Sequence, residues 1–233
     1  MTEHGARFLD VLTLGMWQAN CYVLGDRDRG EAVIVDPGQD GGPPVRERLA
    51  ARGVEAVAIL LTHGHLDHVW AVPELARGLE VPVLLHPEDR WLWDDPAAAF
   101  GGMLSPVVLE QELGLVWDPP TERLESVKDR QRLGFAGFDL EVRHTPGHTP
   151  GSSVFLLDDD HALGDPVLVS GDLLFAGSVG RTDFPRGSWD QQRASLRDAV
   201  LPLDDAVRVA PGHGPETTVG TERATNPFLA ELR

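Results

Sequence analysis

The chain has 233 residues, 42% of them hydrophobic and 24% charged, enough apolar content for a buried core and against general disorder. Its 20 basic residues, of which only Lys128 is a lysine, stand against 37 acidic ones for a net charge of −17, which disfavours nucleic acids and anionic membranes as partners. One cysteine, Cys21, rules out an intrachain disulfide, the start from Met1 to Leu14 lacks a signal-peptide pattern, and no apolar run nears the roughly 18 to 20 residues of a membrane span, so a cytoplasmic chain is expected.

In chain order, apolar runs predict strands at Cys21 to Leu24 and Ala32 to Val35, then a helix at Val45 to Ala51 closed by Gly53. A strand over Ala56 to Leu61, a helix over His68 to Gly78 and a strand over Val81 to Leu85 follow. Residues 94–132 carry Gly101-Gly102 and Pro119-Pro120 with weak periodicity, which reads as an insertion, either a lid-like cover over a site or a solvent-facing helical excursion. Further strands are expected at Leu140 to Val142, Val154 to Leu157, Val167 to Val169 and Ala206 to Ala210, with Asp158-Asp159-Asp160 at a hairpin tip. Trp189 to Leu201 reads as a helix with Ser188 as its N-cap and Pro202 past its end. Several strands do not alternate and so are expected to be buried on both faces. With no linker between halves, the pattern predicts a single α/β domain over residues 1–233. A faint echo between Val142-Arg143-His144-Thr145-Pro146-Gly147-His148 and Val207-Arg208-Val209-Ala210-Pro211-Gly212-His213 suggests two related half-domains.

After Ile59-Leu60-Leu61 the chain reads Thr62-His63-Gly64-His65-Leu66-Asp67-His68. In an extended segment His63 and His65 point to one side and reach one cation, while Asp67 and His68, at the turn into the next helix, serve a second. Gly64 is expected to let the backbone approach the metals closely. His148, Asp172 and His213, each after a Gly-containing turn at a strand end, complete seven ligands. They divide into His63, His65 and His148 on one ion and Asp67, His68 and His213 on the other, with Asp172 bridging. Two divalent ions about 3.5 to 4 Å apart share a solvent molecule and lower its pKa to about 7, and Asp67 orients the resulting hydroxide as the catalytic candidate. Zinc suits this donor set, and iron and manganese accept it too. Asp36 either orients an imidazole from behind the ligands or simply belongs to the turn Asp36-Pro37-Gly38. Cys21 is assigned to the core, and His4, His86, His144 and His161 receive no catalytic role.

The motif H-x-H-x-D-H, followed in order by the later His, Asp and His, resembles the metallo-β-lactamase superfamily over nearly the whole chain. That resemblance implies a four-layer αββα sandwich with the metals along one edge of its two sheets. Gly180-Arg181-Thr182-Asp183-Phe184-Pro185, Pro211-Gly212-His213-Gly214-Pro215 and the tail Glu222-Arg223 to Asn226-Pro227-Phe228-Leu229 resemble the short, single-domain glyoxalase II-like hydrolases. The implied activity is cleavage of the thioester of an S-2-hydroxyacyl low-molecular-weight thiol, such as S-lactoylglutathione, by a metal-bound hydroxide. Longer glyoxalase II enzymes hold glutathione with a C-terminal helical domain, and the 20 residues after His213 are too few for one, which leaves the thiol carrier open. Arg181 and Asp183 belong to the subgroup motif and are expected near the site, as an ion pair or turn rather than as substrate contacts; Arg186 and Arg223 either hold a substrate carboxylate or are solvated.

The main rival is a persulfide dioxygenase, similar in scaffold, with one iron on His63, His148 and Asp172; Pro185 and the Asn226-Pro227-Phe228-Leu229 tail tilt toward the hydrolases. A lactonase or β-lactamase, a nuclease, and a non-catalytic metal-braced interaction protein are the weaker readings. The expected partner is a small-molecule thioester, and the sequence names no oligomeric state.

Overall fold

The computed structural model describes residues 6–102, 105–157 and 163–232. The apolar runs form strands because Val, Ile and Leu can fill a core on either side of a pleated chain. The first half runs β1 (Arg7–Leu14), β2 (Ala19–Asp26), β3 (Glu31–Val35), α1 (Gly42–Arg52), β4 (Glu55–Leu60), α2 (Leu66–Val69), α3 (Val72–Leu79), β5 (Val83–Leu85), α4 (Arg90–Asp94), α5 (Pro106–Leu113) and β6 (Leu124–Ser126). The second runs β7 (Arg132–Phe135), β8 (Phe138–His144), β9 (Ser153–Leu157), β10 (Val167–Gly171), β11 (Leu174–Phe175), β12 (Ser178–Val179), α6 (Trp189–Ser195), β13 (Arg208–Pro211), β14 (Thr217–Thr218), α7 (Val219–Thr225) and α8 (Pro227–Ala230).

One six-stranded sheet has the order β1-β2-β3-β4-β5-β6, antiparallel from β1 to β3 and parallel from β3 to β6. The other has the order β14-β13-β10-β9-β8-β7, with β10 and β13 its parallel pair. Side chains alternate between two cores. Cys21, Val23, Ala32, Ile34 and Ile59 face α1 and α3, while Tyr22, Leu24, Val33, Val35 and Leu60 face the second sheet. The same alternation sends Phe155, Leu157, Val167 and Val169 inward, and Val154, Leu156 and Leu168 outward against Leu196, Val200, Val219 and Leu229 of the C-terminal helices. Helix, sheet, sheet, helix is therefore the layer order, as the family resemblance implied.

Local signals behave as their chemistry dictates. Gly53 closes α1 in the left-handed conformation at φ 68°, and the Ser188 hydroxyl caps α6 by accepting from Gln191 N–H. The single helix expected over His68 to Gly78 is instead two, because Pro73 lacks an N–H and starts a new helix at α3. The helix expected over Trp189 to Leu201 passes into a π turn at Leu196–Val200. The echoed segments both lie in the second sheet, on β8 and β13, so the echo does not mark two half-domains.

Within residues 94–132, β6 joins the edge of the first sheet. Residues Ala97, Leu109 and Leu115 build a small core with Leu66, flanked by Trp17, Trp70, Phe100 and Trp117. Asp158-Asp159-Asp160, His4 and His161 lie outside the described residues. Among the described residues no helix is long and apolar enough to cross a membrane.

Candidate metal centre

Parallel strands deliver their C-terminal ends to one edge, and β3 with β4 in one sheet and β10 with β13 in the other do so side by side. That edge is stitched across the sheets. Asn20 N–H donates to Gly212 O at 2.7 Å, the Asn20 amide to Pro211 O and Gly214 O, Tyr22 OH to Pro211 O at 2.8 Å, and Ser153 N–H to Thr62 O at 2.8 Å.

The loop after β4 carries His63 and His65 and then enters α2, which holds Asp67 and His68. Behind it Asp36 sits at the end of β3 at φ 52°, a left-handed conformation that Asp tolerates better than most residues. Its Oδ1 accepts from Thr62 N–H at 2.8 Å; its Oδ2 accepts from Thr62 Oγ1 at 2.6 Å and pairs with His68 Nδ1 at 3.0 Å. With its proton given to Asp36, the Thr62 hydroxyl accepts from His63 Nδ1 at 3.0 Å. One carboxylate thus orients both rings, engaging His63 through the Thr62 hydroxyl and His68 directly at Nδ1, and both Nε2 atoms are turned away from it. Asp36 is therefore an orienting group and also a turn residue.

His148 lies in the β8–β9 loop, where Nδ1 donates to Arg181 O at 2.6 Å and leaves Nε2 for the cluster. Asp172 follows β10, and His213 follows β13. The seven residues converge. His65 Nδ1 and His148 Nε2 are 2.8 Å apart, His68 Nε2 and His213 Nε2 3.3 Å apart, and Asp67 Oδ2 lies 3.2 Å from His213 Nε2. The ligand atoms of His63, His65 and His148 form one compact group and those of Asp67, His68 and His213 another. The Asp172 carboxylate reaches both, 3.4 Å from His148 Nε2, 3.4 Å from His68 Nε2 and 3.8 Å from His213 Nε2.

This arrangement fits divalent cations. Facing ring nitrogens at such distances repel unless a proton or cation lies between them. Among the described residues, neither His63 Nε2 nor Asp172 Oδ1 has a hydrogen-bond partner, although both are buried. Burial, reinforced by neighbouring imidazoles, pushes His63 and His65 well below the usual histidine range, so both rings offer lone pairs at neutral pH. Burial works against charge on His68 and Asp67 as well. Even so, Asp67, Asp172 and Asp36 lift His68 to about 10, while His68, His213 and His65 hold Asp67 well below the carboxylate range. Anions around His68 mark a place for positive charge.

Sequence reasoning missed the bracing groups. Asp89, fully buried, accepts from Gly64 N–H at 2.9 Å, Thr149 Oγ1 at 2.7 Å and Gly151 N–H at 2.7 Å, tying the His63–His65 loop to the His148 loop. Buried Gln192 of α6 donates to Asp172 O and Leu173 O at 3.3 and 3.2 Å. Gly64 has a different role from the one expected. A side chain there would meet Leu92 Cβ at 2.7 Å, so the glycine admits α4 rather than the metals. Arg181 and Asp183 pair with each other through two contacts of 2.6 Å, and the site uses the backbone carbonyl of Arg181. His86 and His144 stack at 3.8 Å away from the donor groups, and burial pushes the Cys21 thiol up, in keeping with a core role.

Above the donors opens a cavity of about 380 Å³, walled chiefly by Trp17, Leu66, Phe100, Phe175, Val179 and Phe184. Fold, donor set and cavity all have counterparts in known proteins. Residues 14–213 match the family model described as the metallo-beta-lactamase superfamily. An uncharacterized protein of Mycobacterium leprae is 41% identical over 94% of this chain and 96% of its own length. Hydroxyacylglutathione hydrolase GloC of Haemophilus influenzae is 33% identical over 95% of this chain and 97% of its own. Among solved structures, the BLEG-1 B3 metallo-beta-lactamase superposes with a TM-score of 0.80 at 37% identity, covering 95% of this chain and 99% of that one. Another, solved in a di-iron-bound form, gives 0.77 at 36% identity, covering 94% and 100%. With two donor sets gathered at one edge of an αββα sandwich and relatives matched nearly end to end, the chain belongs to the metallo-β-lactamase superfamily, as one of its metal-dependent hydrolases.

Proposed function

We propose that this chain hydrolyses the thioester of an S-2-hydroxyacyl derivative of a low-molecular-weight thiol, in the manner of the glyoxalase II-like enzymes. The observation that carries the reading is Asp172, whose carboxylate touches both donor sets at the floor of one cavity. The similarity to GloC supports the thioester as the bond attacked. When bound, two divalent cations, zinc foremost, supply Lewis acidity toward the carbonyl and a water acidified to a pKa of about 7.

In the overall reaction the acyl carbon gains the water oxygen, the carbon–sulfur bond breaks, and sulfur leaves as the thiol. The chain's own part is positional. Asp67, ionised and partly open to the cavity, accepts a hydrogen bond from the attacking water and aims its lone pair at the carbonyl. His148 is held in one tautomer by Arg181 O, and Asp36 orients the His68 ring at Nδ1. Ala99 and Phe100, from residues 94–132, wall the cavity on one side and limit entry of bulk water; that stretch acts as the cover of a single-domain enzyme. The net charge of −17 and the single cysteine support a small-molecule substrate in the cytoplasm.

The test is a thioester screen on protein of measured metal content. His65→Ala and Asp172→Ala are expected to lower kcat/KM at least about a hundredfold and to reduce bound metal. One iron per chain together with oxygen uptake on glutathione persulfide would overturn the hydrolase in favour of a dioxygenase.

A further inference from the structure

The cavity walls hold more chemistry than hydrolysis of a small hydroxyacyl group requires. Phe184 lies edge-on to His65 at 5.0 Å and to His148 at 6.1 Å, beside one donor set. Phe175 lies at 5.9 Å from His213, beside the other. Trp17 from the β1–β2 turn and Phe100 from the segment after α4 add two more aromatic walls. A substrate whose carbonyl sits over the donors therefore meets hydrocarbon beside each donor set. The volume of about 380 Å³ lies within the range of small-molecule sites and is shared between the acyl group and the thiol carrier.

Ionic anchors are missing where a charged carrier would need them. Among the described residues lining the cavity, Arg181 is the one cation besides the donor imidazoles, and it is committed to Asp183 while its guanidinium lies 4.4 Å over the Phe184 ring. Neither Arg186 nor Arg223 lines the cavity: Arg186 lies 4.5 Å over Trp91, and Arg223 is held by Asp205 and by the carbonyls of Leu201 and Leu203. A tripeptide thiol with two carboxylates would thus approach an acidic protein whose described cavity lining offers it one arginine, already paired with Asp183.

Resting on the hydrolase reading above, we infer that the preferred substrate is an apolar, uncharged thioester: its acyl group carries an aryl or branched aliphatic side chain, and its thiol needs no ionic anchor. Burying a phenyl-sized group is worth about ten- to hundredfold in kcat/KM.

The experiment compares S-lactoyl with S-phenyllactoyl esters of glutathione, and glutathione with N-acetylcysteamine as carriers of the phenyllactoyl group. Expected is a preference of about ten- to hundredfold for phenyllactoyl, with the neutral carrier at least equal to glutathione. Phe184→Ala should bring the phenyllactoyl-to-lactoyl ratio toward one, and where that variant does not fold, Phe175→Ala reads the same ratio. Equal rates for the two acyl groups, or a clear preference for the glutathione carrier, would overturn the inference while leaving the hydrolase intact. Hydrolysis of no thioester at all would remove both.

Discussion

Asp89 gives the sharpest perturbation in the molecule, because one side chain braces two loops that each carry ligands. In Asp89→Asn a single amide oxygen replaces two carboxylate oxygens that receive three donors. If that oxygen serves Gly64 N–H and Thr149 Oγ1, the new NH2 faces Gly151 N–H. If it serves Gly151, the NH2 faces Gly64 N–H, and only the Thr149 hydroxyl can turn to suit. Either way one buried N–H loses its acceptor, at about 1 to 3 kcal/mol, and the remaining bonds lose their charge assistance, for a total of about 2 to 5 kcal/mol. The loss falls on loops adjoining His63, His65 and His148, so it divides between folding and cation affinity. Urea unfolding of the metal-free protein reads the first share. Competition with a chromophoric chelator reads the second, where a loss of about ten- to hundredfold at the tighter step is expected. A variant that loses stability yet binds cations as before would refute the bracing argument, reducing Asp89 to a fold residue.

Gly212→Ala places a methyl against the Asp172 carboxylate and 2.9 Å from His68 Cε1, so bound metal should fall well below that of the parent while far-UV circular dichroism stays unchanged; full metal content would refute it. His86 is held down to about 4, first by burial and then by the stacked His144, with Glu88 and Asp129 opposing. The unfolded chain protonates this ring near 6.5, so stability should decline as pH falls from about 6.5 to about 4, and His86→Phe, which keeps the stack, should flatten that part of the urea-midpoint profile. Identical slopes in the two proteins would count against it.

What the sequence reveals depends on how far apart the cooperating residues lie. The run His63 to His68 is legible because its donors are contiguous, and His148, Asp172 and His213 because each follows a turn at an apolar run. Asp89 is silent, since its partners stand 25, 60 and 62 residues away. Strands buried on both faces announce themselves through unbroken apolar stretches. β1 escapes because it is partly exposed, with Val11 at 46%, and β11, β12 and β14 because two residues carry no period. α7 and α8 bury little beyond Val219, Glu222 and Leu229, too few for a stripe.

Each sheet furnishes part of the cation-holding set, His63 to His68 from one and His148, Asp172 and His213 from the other. Divalent ions bound there act as a rivet between two halves that backbone bonds at Asn20 and Ser153 already tack together. A chain nicked at the exposed stretch Lys128 to Arg130 would leave two fragments like jaws, and their grip on each other would tighten with every ion seated between them.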